Sequence, residues 1–380
     1  MKSKTKVLIV GAGIGGLATA MALQKAGFHA ELYEKAPALC GIGAGISLWS
    51  NATAVLEKLG LLDEAVSKAG MYNALEVKSQ RGELLMQSNV GGRRTPAVCI
   101  HRADLIGLLE RGCAPGSIHL NKTFERFEQT ENGVTAFFEC GETVECDVLI
   151  GADGINSRVR AQIKGDAKPV YRGYVVWRAV VDINTNDFGI KNPSETWGAG
   201  NRFGLVPMGK NRFYWYATNN QPENTNLSPA ERKARLTSIF RDWHTPLPQI
   251  IQATAAENIL QNDCYDRPPS RGWSNGKVCL IGDAAHPTTP NMGQGGCLAL
   301  EDALVLTKCL TAPSEPENAF REFENLRFAR AKFINRRSLM FGRVGQWQNG
   351  FAVGLRNALT KYTPAKSFER SLESVYGYET

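Results

Sequence analysis

The spacing of apolar and polar positions changes character along the chain. Residues 6–10 form a short, nearly unbroken apolar run of strand length. Glycines follow, residues 17–26 have helical composition, and residues 30–34 return to strand character, so a β-α-β unit is predicted at the start. A helical stretch is expected at 52–69 and a helix at 102–112. Alternating or β-branched runs at 75–78, 134–139 and 148–150 predict strands around them, which makes the first half mixed α/β. From about 168 to 218 the chain favours Val, Tyr, Trp and Phe in strands at 174–182, 202–207 and 212–218, followed by a helix at about 228–243. A second strand, glycine-rich loop and helix begins at 277–281, and the pattern from 318 onward is mostly helical. No internal repeat or low-complexity linker interrupts it.

This order predicts an α/β protein with a Rossmann-like dinucleotide domain built from separated segments (1–75, 98–167 and 273–312). A mixed β-sheet domain for substrate is inserted into it (76–97 and 168–272), and a helical C-terminal segment (313–380) follows. A length of 380 residues suits two or three domains. With 43% hydrophobic and 21% charged residues, disorder, collagen and a simple coiled coil are excluded. Nine cysteines without a CxxC pair fit neither a zinc site nor a secreted disulfide framework, so no metal and a cytoplasmic location are expected. The basic start and the apolar stretch 7–23 could suggest a signal or membrane segment, but Gly11, Gly13, Gly15 and Gly16 would weaken such a helix, and no membrane partner is expected. The formal charge of +7 is spread along the chain. Its densest run, 327–337, has helical spacing and reads as a solvated helix face rather than a nucleic-acid surface.

Three motifs carry chemistry. The first, Gly11-Ala12-Gly13-Ile14-Gly15-Gly16, lies between a strand and a helix, with Glu34 at the end of the next strand. Gly11 allows the tight turn, Gly13 lets backbone approach a pyrophosphate, Gly16 permits close packing, and the helix N-terminus attracts the anion, while Glu34 would hold ribose hydroxyls. NAD and FAD both satisfy this motif. The second is Gly282-Asp283-Ala284-Ala285-His286-Pro287, continuing to Gly295-Gly296. A second glycine-rich loop implies a dinucleotide that extends beyond its pyrophosphate, as FAD does. Asp283 could accept from ribityl hydroxyls, and the helix start near Gly295 could face the flavin N1–C2=O edge. An acid/base pair of His286 with Asp283 is the rival reading. The third, Asp153-Gly154 after a strand and before Arg158 and Arg160, is a turn suited to another phosphate-bearing ligand.

Taken together, the ordered set resembles the FAD-dependent aromatic hydroxylases, flavoprotein monooxygenases with the p-hydroxybenzoate hydroxylase fold. Several stretches look most like bacterial FAD-dependent urate hydroxylases, and more distantly like salicylate and hydroxynicotinate hydroxylases: 45–51, 173–177, Arg202 and 293–297. Ser50, Arg178-Ala179 and Asn291 depart from that pattern. The resemblance implies that FAD contacts extend to Ile14, Lys35, Gly45, Arg102 and Gly293. It also implies that Asp153 lies near both FAD and the nicotinamide donor, that Pro290 lies beside the flavin ring, and that Gly295 and Gly296 lie under its pyrimidine edge. NADH or NADPH would reduce FAD, O2 would add at C4a, and the hydroperoxide would hydroxylate a small electron-rich aromatic or heteroaromatic ring. A non-oxygenating flavin oxidoreductase of the same fold and a flavin-binding regulatory protein are the alternatives. A monomer or homodimer is expected.

The inserted sheet is where substrate contacts are expected. An antiparallel hairpin flanking 207–211 would set Val206 near Arg212 and Arg202 near Tyr216. Alternation would then put Arg202, Gly204, Tyr214 and Tyr216 on one face, with the gap at Gly204 leaving room for the ring, and Phe213 and Trp215 on the other. Arg202 is expected to orient substrate with help from Tyr214, and Trp49 and Trp177 to wall the pocket.

Overall fold

Strand Lys6–Val10 is apolar enough to be buried on both faces, and its neighbours follow from that. It pairs in parallel with His29–Tyr33 on one side and Val148–Gly151 on the other, and Val278–Leu280 extends the sheet in parallel beyond Val148–Gly151. With Ile118–His119 and Ser274–Asn275 at its edges, the sheet has six strands. The computed structural model describes residues 5–39, 43–165, 167–183 and 188–378. The chain goes from Lys6–Val10 to a neighbour on one side first and to Val148–Gly151 on the other side later, so strand order reverses there and the crevice beyond its carboxyl end is the expected ligand position for an open α/β sheet.

The first helix, Ile14–Lys25, begins three residues before the expected start because Gly15 and Gly16 belong to it. The helix packs tightly there: a Cβ on Gly15 would lie 3.2 Å from that of Ala299 in helix Gly295–Thr311. The stretch expected to be helical at 52–69 is two helices, Ser50–Leu59 and Leu62–Ser67, because Gly60 takes a left-handed conformation (φ 77°) and ends the first. Helix Arg102–Gly112 has the expected bounds.

The second sheet has seven strands in the order Leu260–Asp266, Val170–Asp182, Arg212–Asn220, Asn201–Pro207, Ser194–Trp197, Ala74–Ser79, Leu84–Asn89. All neighbours are antiparallel except Ser194–Trp197 with Ala74–Ser79, so it is a mixed sheet. One face packs Trp177, Phe203, Phe213 and Trp215 into a separate core under helices Pro229–Phe240 and Leu247–Ala253. The other face looks toward the first sheet.

The hairpin register differs from expectation by two residues: Arg202 opposes Thr218, and Val206 opposes Tyr214. Gly209, Lys210 and Asn211 are all left-handed, and Met208 N–H bonds to the Arg212 carbonyl, so three residues turn the chain. A two-residue shift preserves each side chain's face, and Arg202, Tyr214 and Tyr216 remain together.

Helix Pro316–Gly345 runs against Gly295–Thr311, and here the expected solvated face is overturned. Arg327 is fully buried and Arg330 nearly so. They face Glu301 and Asp302, themselves fully buried, and opposite charge is what allows the cations inside. Helices Gly350–Tyr362 and Ala365–Tyr376 follow and pack against strand Leu84–Asn89. Among the described residues, no helix is long and apolar enough to cross a membrane.

Candidate flavin and substrate site

The first glycine loop divides its residues between packing and opening. Gly11 has φ 101°, and a Cβ there would lie 2.6 Å from the Ala152 carbonyl oxygen; one on Gly16 would lie 1.9 Å from the Gly11 oxygen. Nothing stands within 4 Å of a Cβ on Gly13, so its backbone borders open space at the start of helix Ile14–Lys25. Glu34 accepts from the N–H of Ala12 at 2.8 Å and of Ala36 at 3.0 Å, which fixes its carboxylate beside the loop. Lys35 is exposed.

Across the cleft, Gly282 is left-handed (φ 54°), and its N–H donates to Asp302 at 2.9 Å. His286 places Nε2 2.6 Å from the same Asp302 carboxylate, so the His286–Asp283 pair does not form; His286 braces the loop instead. Asp302 is buried, which alone would raise its pKa, but His286 and Arg327 hold it well below the usual carboxylate range. Asp283 is left facing the cavity. Burial raises its pKa, while the nearby charges of His286 and Arg102 oppose the rise. Burial and then the neighbouring Arg178 lower the pKa of Arg102. The third motif's Asp153 accepts the N–H groups of Arg158 and Val159 through one oxygen, while its other oxygen is buried without a partner.

A cavity of about 570 Å³ joins these loops to the second sheet. Gly13, Ile14, Gly45, Arg102, Asp283, Pro290, Gly293, Gly295 and Gly296 line it on the loop side. Arg202, Tyr214 and Tyr216 of the second sheet line it on the other side, and Trp49, whose indole nitrogen would lie 3.0 Å from a Cβ on Gly293, lines it beside the second loop. Ala152 and Gly154, flanking Asp153, also reach it. The open space before Gly13, the orphaned Asp153 oxygen, and Arg102 and Asp283 on the cavity wall fit an extended dinucleotide such as FAD.

That fit agrees with family membership, since residues 4–337 match the family described as FAD binding domain. The chain belongs to that family. It is 39% identical over 368 residues to aurachin C monooxygenase/isomerase of Stigmatella aurantiaca, covering 95% of both chains. It is 32% identical over 374 residues to 2-heptyl-3-hydroxy-4(1H)-quinolone synthase of Pseudomonas aeruginosa, covering 96% of both. The crystal structure of Klebsiella pneumoniae HpxO complexed with FAD and uric acid superposes with a TM-score of 0.90 at 27% identity, over 97% of this chain and 95% of that one. The protein is an FAD-dependent oxidoreductase of the monooxygenase type.

In this FAD-binding protein the second-sheet wall is a connected polar array. Arg202, 3% exposed, donates from Nε to Gln346 at 2.8 Å, from Nη1 to Glu195 at 3.2 Å and from Nη2 to Asn291 at 2.7 Å. Glu195 also accepts from the Tyr216 hydroxyl and from Trp197 Nε1, the latter at 2.6 Å. Burial and then Glu195 push the Tyr216 pKa far up, and burial pushes Tyr214 up to about 12 although Arg178 pulls it down. Both phenols stay protonated at neutral pH. Arg178 donates to Asn262 at 2.6 Å, and its Nε is buried without a partner.

Two expectations fail here. Trp177 is fully buried in the second core, where its indole donates to Gln261 at 3.0 Å, because strand alternation sends Val176 and Arg178 to the cavity. Nor does Gly204 leave room for a ring: a Cβ there would lie 2.1 Å from the Tyr216 ring, which fills the gap. Sequence reasoning missed Glu195 and Gln346 and the cavity lining from the C-terminal helices. A lone carboxylate in strand Ser194–Trp197 was one available signal, and the i, i+4, i+8 spacing of Phe368, Leu372 and Tyr376 was another.

Proposed function

We propose that this protein hydroxylates a nitrogen-containing heteroaromatic ring, using NADH or NADPH and O2. The observation that carries the proposal is the continuity of one cavity from the glycine loops to the Arg202, Glu195 and Asn291 array, so that cofactor and substrate would share one enclosed space. The relatives support the ring class by their names, a 4(1H)-quinolone for one and uric acid for the complexed structure, since both molecules offer ring N–H and C=O groups.

FAD, when bound, supplies the redox and oxygen chemistry. The chain's own residues bind, orient and exclude water. Gly13 and the following helix start would take the pyrophosphate, Glu34 the ribose, Arg102 and Asp283 the connecting chain, and Pro290 to Gly296 the ring edge. Arg202 has N–H groups beyond the three it spends on Gln346, Glu195 and Asn291, and these would donate to a ring carbonyl or oxyanion. Its three protein partners hold the guanidinium in one geometry, so orientation is set before substrate enters. Tyr214, kept neutral, would donate a second hydrogen bond. Trp49, stacked on Tyr376 at 3.9 Å, closes the apolar side and keeps water out.

The test is FAD-loaded protein with NADH or NADPH and a panel of hydroxylated pyridines, quinolones and purines. Substrate-stimulated oxidation with a product heavier by one oxygen is expected. Peroxide as the sole product across the panel would refute the ring class, and no stimulation by any ring would favour a protein that binds flavin without turnover.

A further inference from the structure

The cavity wall changes chemistry across the second sheet. Its polar part is the Arg202 array. Beyond Glu195, whose ladder partner is Val77, strands Ala74–Ser79 and Leu84–Asn89 continue the wall at the end of the sheet with Leu75, Val77 and Met86, and Val77 and Met86 are directly paired. Strand alternation turns the intervening Lys78 away, where it forms an ion pair at 2.9 Å with Glu76, which also borders the cavity at this edge. Facing these strands, helix Ala365–Tyr376 offers Phe368 and Leu372, one turn apart, and Phe341 meets the Phe368 ring edge-on with centroids 6.3 Å apart. Leu75, Val77, Phe341 and Phe368 are only half-buried although they line an internal wall. Apolar side chains that surround a cavity without packing it shut leave an apolar surface to be covered by a ligand.

We propose that this end is a lobe for an unbranched hydrocarbon substituent, so that the substrate is a heteroaromatic ring carrying an alkyl or alkenyl tail. The ring sits at Arg202 and the tail lies between the strand pair and the C-terminal helix. This rests on the proposed ring hydroxylation and adds the part of the substrate that does not react. Tail burial would supply affinity, and the polar array would set ring orientation.

The experiment uses the FAD-loaded enzyme and a series of 2-alkyl-4(1H)-quinolones with methyl, propyl, heptyl and nonyl chains. Binding is read from the flavin absorbance change without reductant, and turnover from hydroxylated product. Affinity should rise about 2- to 4-fold per methylene until the lobe is full, from roughly 0.8 kcal/mol for each buried CH2. In Val77→Phe, which narrows the lobe, the heptyl-to-methyl affinity ratio should fall at least about tenfold by the same measure. Taking the ratio within one variant cancels any loss of folded protein. Affinity independent of chain length, affinity falling with length, or no binding by any member would overturn the lobe. Equal turnover of all members would overturn the lobe and leave ring hydroxylation standing, whereas tight, length-dependent binding with no oxygenated product would support the lobe and defeat ring hydroxylation.

Discussion

Arg327→Met isolates the buried ion network behind the second glycine loop. Arg327 has no exposed surface, its Nε donates to Asp302 at 2.7 Å, and its Nη1 lies 2.6 Å from Glu301. Methionine keeps most of the apolar stem, so the substitution chiefly removes the counter-charge of two buried acids. Removing one partner of a buried pair costs about 3–5 kcal/mol. The lower end applies, because Glu301 retains Arg330 and Asn51, and Asp302 retains His286 and the Gly282 N–H. At about 2.1 cal/mol/K of unfolding entropy per residue, 380 residues give roughly 0.8 kcal/mol/K, so a loss of about 3 kcal/mol lowers Tm by about 4 °C. Asp302 also anchors Gly282 and His286, so FAD should dissociate faster. Circular dichroism melts and flavin-fluorescence release are the assays, with Arg336→Met, on the exposed side of the same helix, as control. A Tm within about 1 °C of wild type, together with unchanged FAD release, would refute the account.

The same network gives a pH dependence. Asp302 titrates below its unfolded value, so its stabilisation is complete above about pH 4 and is lost as pH falls further toward its folded pKa; Asp302→Asn should flatten the acid limb of a Tm-versus-pH curve. Gly13→Ala should yield a folded protein whose FAD affinity drops by about tenfold or more, while Gly16→Ala, with its Cβ 1.9 Å from the Gly11 oxygen, should yield little folded protein; equal FAD affinities in titrations of Gly13→Ala and wild type would count against the pyrophosphate position. Arg202→Gln should raise KM at least about tenfold with normal FAD content, and unchanged steady-state kinetics would remove Arg202 from substrate orientation.

Both glycine loops were legible because strand, tight turn and helix are contiguous there and Gly11, Gly282 and Gly293 take left-handed conformations that the local turns require. The assignment of Arg202, Tyr214 and Tyr216 to one face survived a wrong register because alternation has period two. What failed was decided at longer range. Trp177 and Val176 are both apolar and both buried, so alternation alone could not say which faced the cavity. Arg327 and Arg330 had ordinary helical spacing, and only Glu301 and Asp302 on a neighbouring helix explain their burial. Glu195 acquired its role by strand pairing with Gly204 beside Tyr216, a contact no local window contains.

The cofactor cleft is assembled from segments far apart along the chain, and this sets when it can exist during synthesis. Strands Lys6–Val10 and His29–Tyr33 and helix Ile14–Lys25 emerge first, yet Val278–Leu280 and the Gly295–Thr311 helix, which complete the sheet and face the first glycines, come after the entire seven-stranded sheet. Such non-local closure is slow compared with local helix and hairpin formation. A ribosome-bound chain stopped before Gly295 would show the first glycine loop with no opposing wall. A flavin site with both of its glycine-loop walls therefore exists only after the seven-stranded sheet has been synthesised.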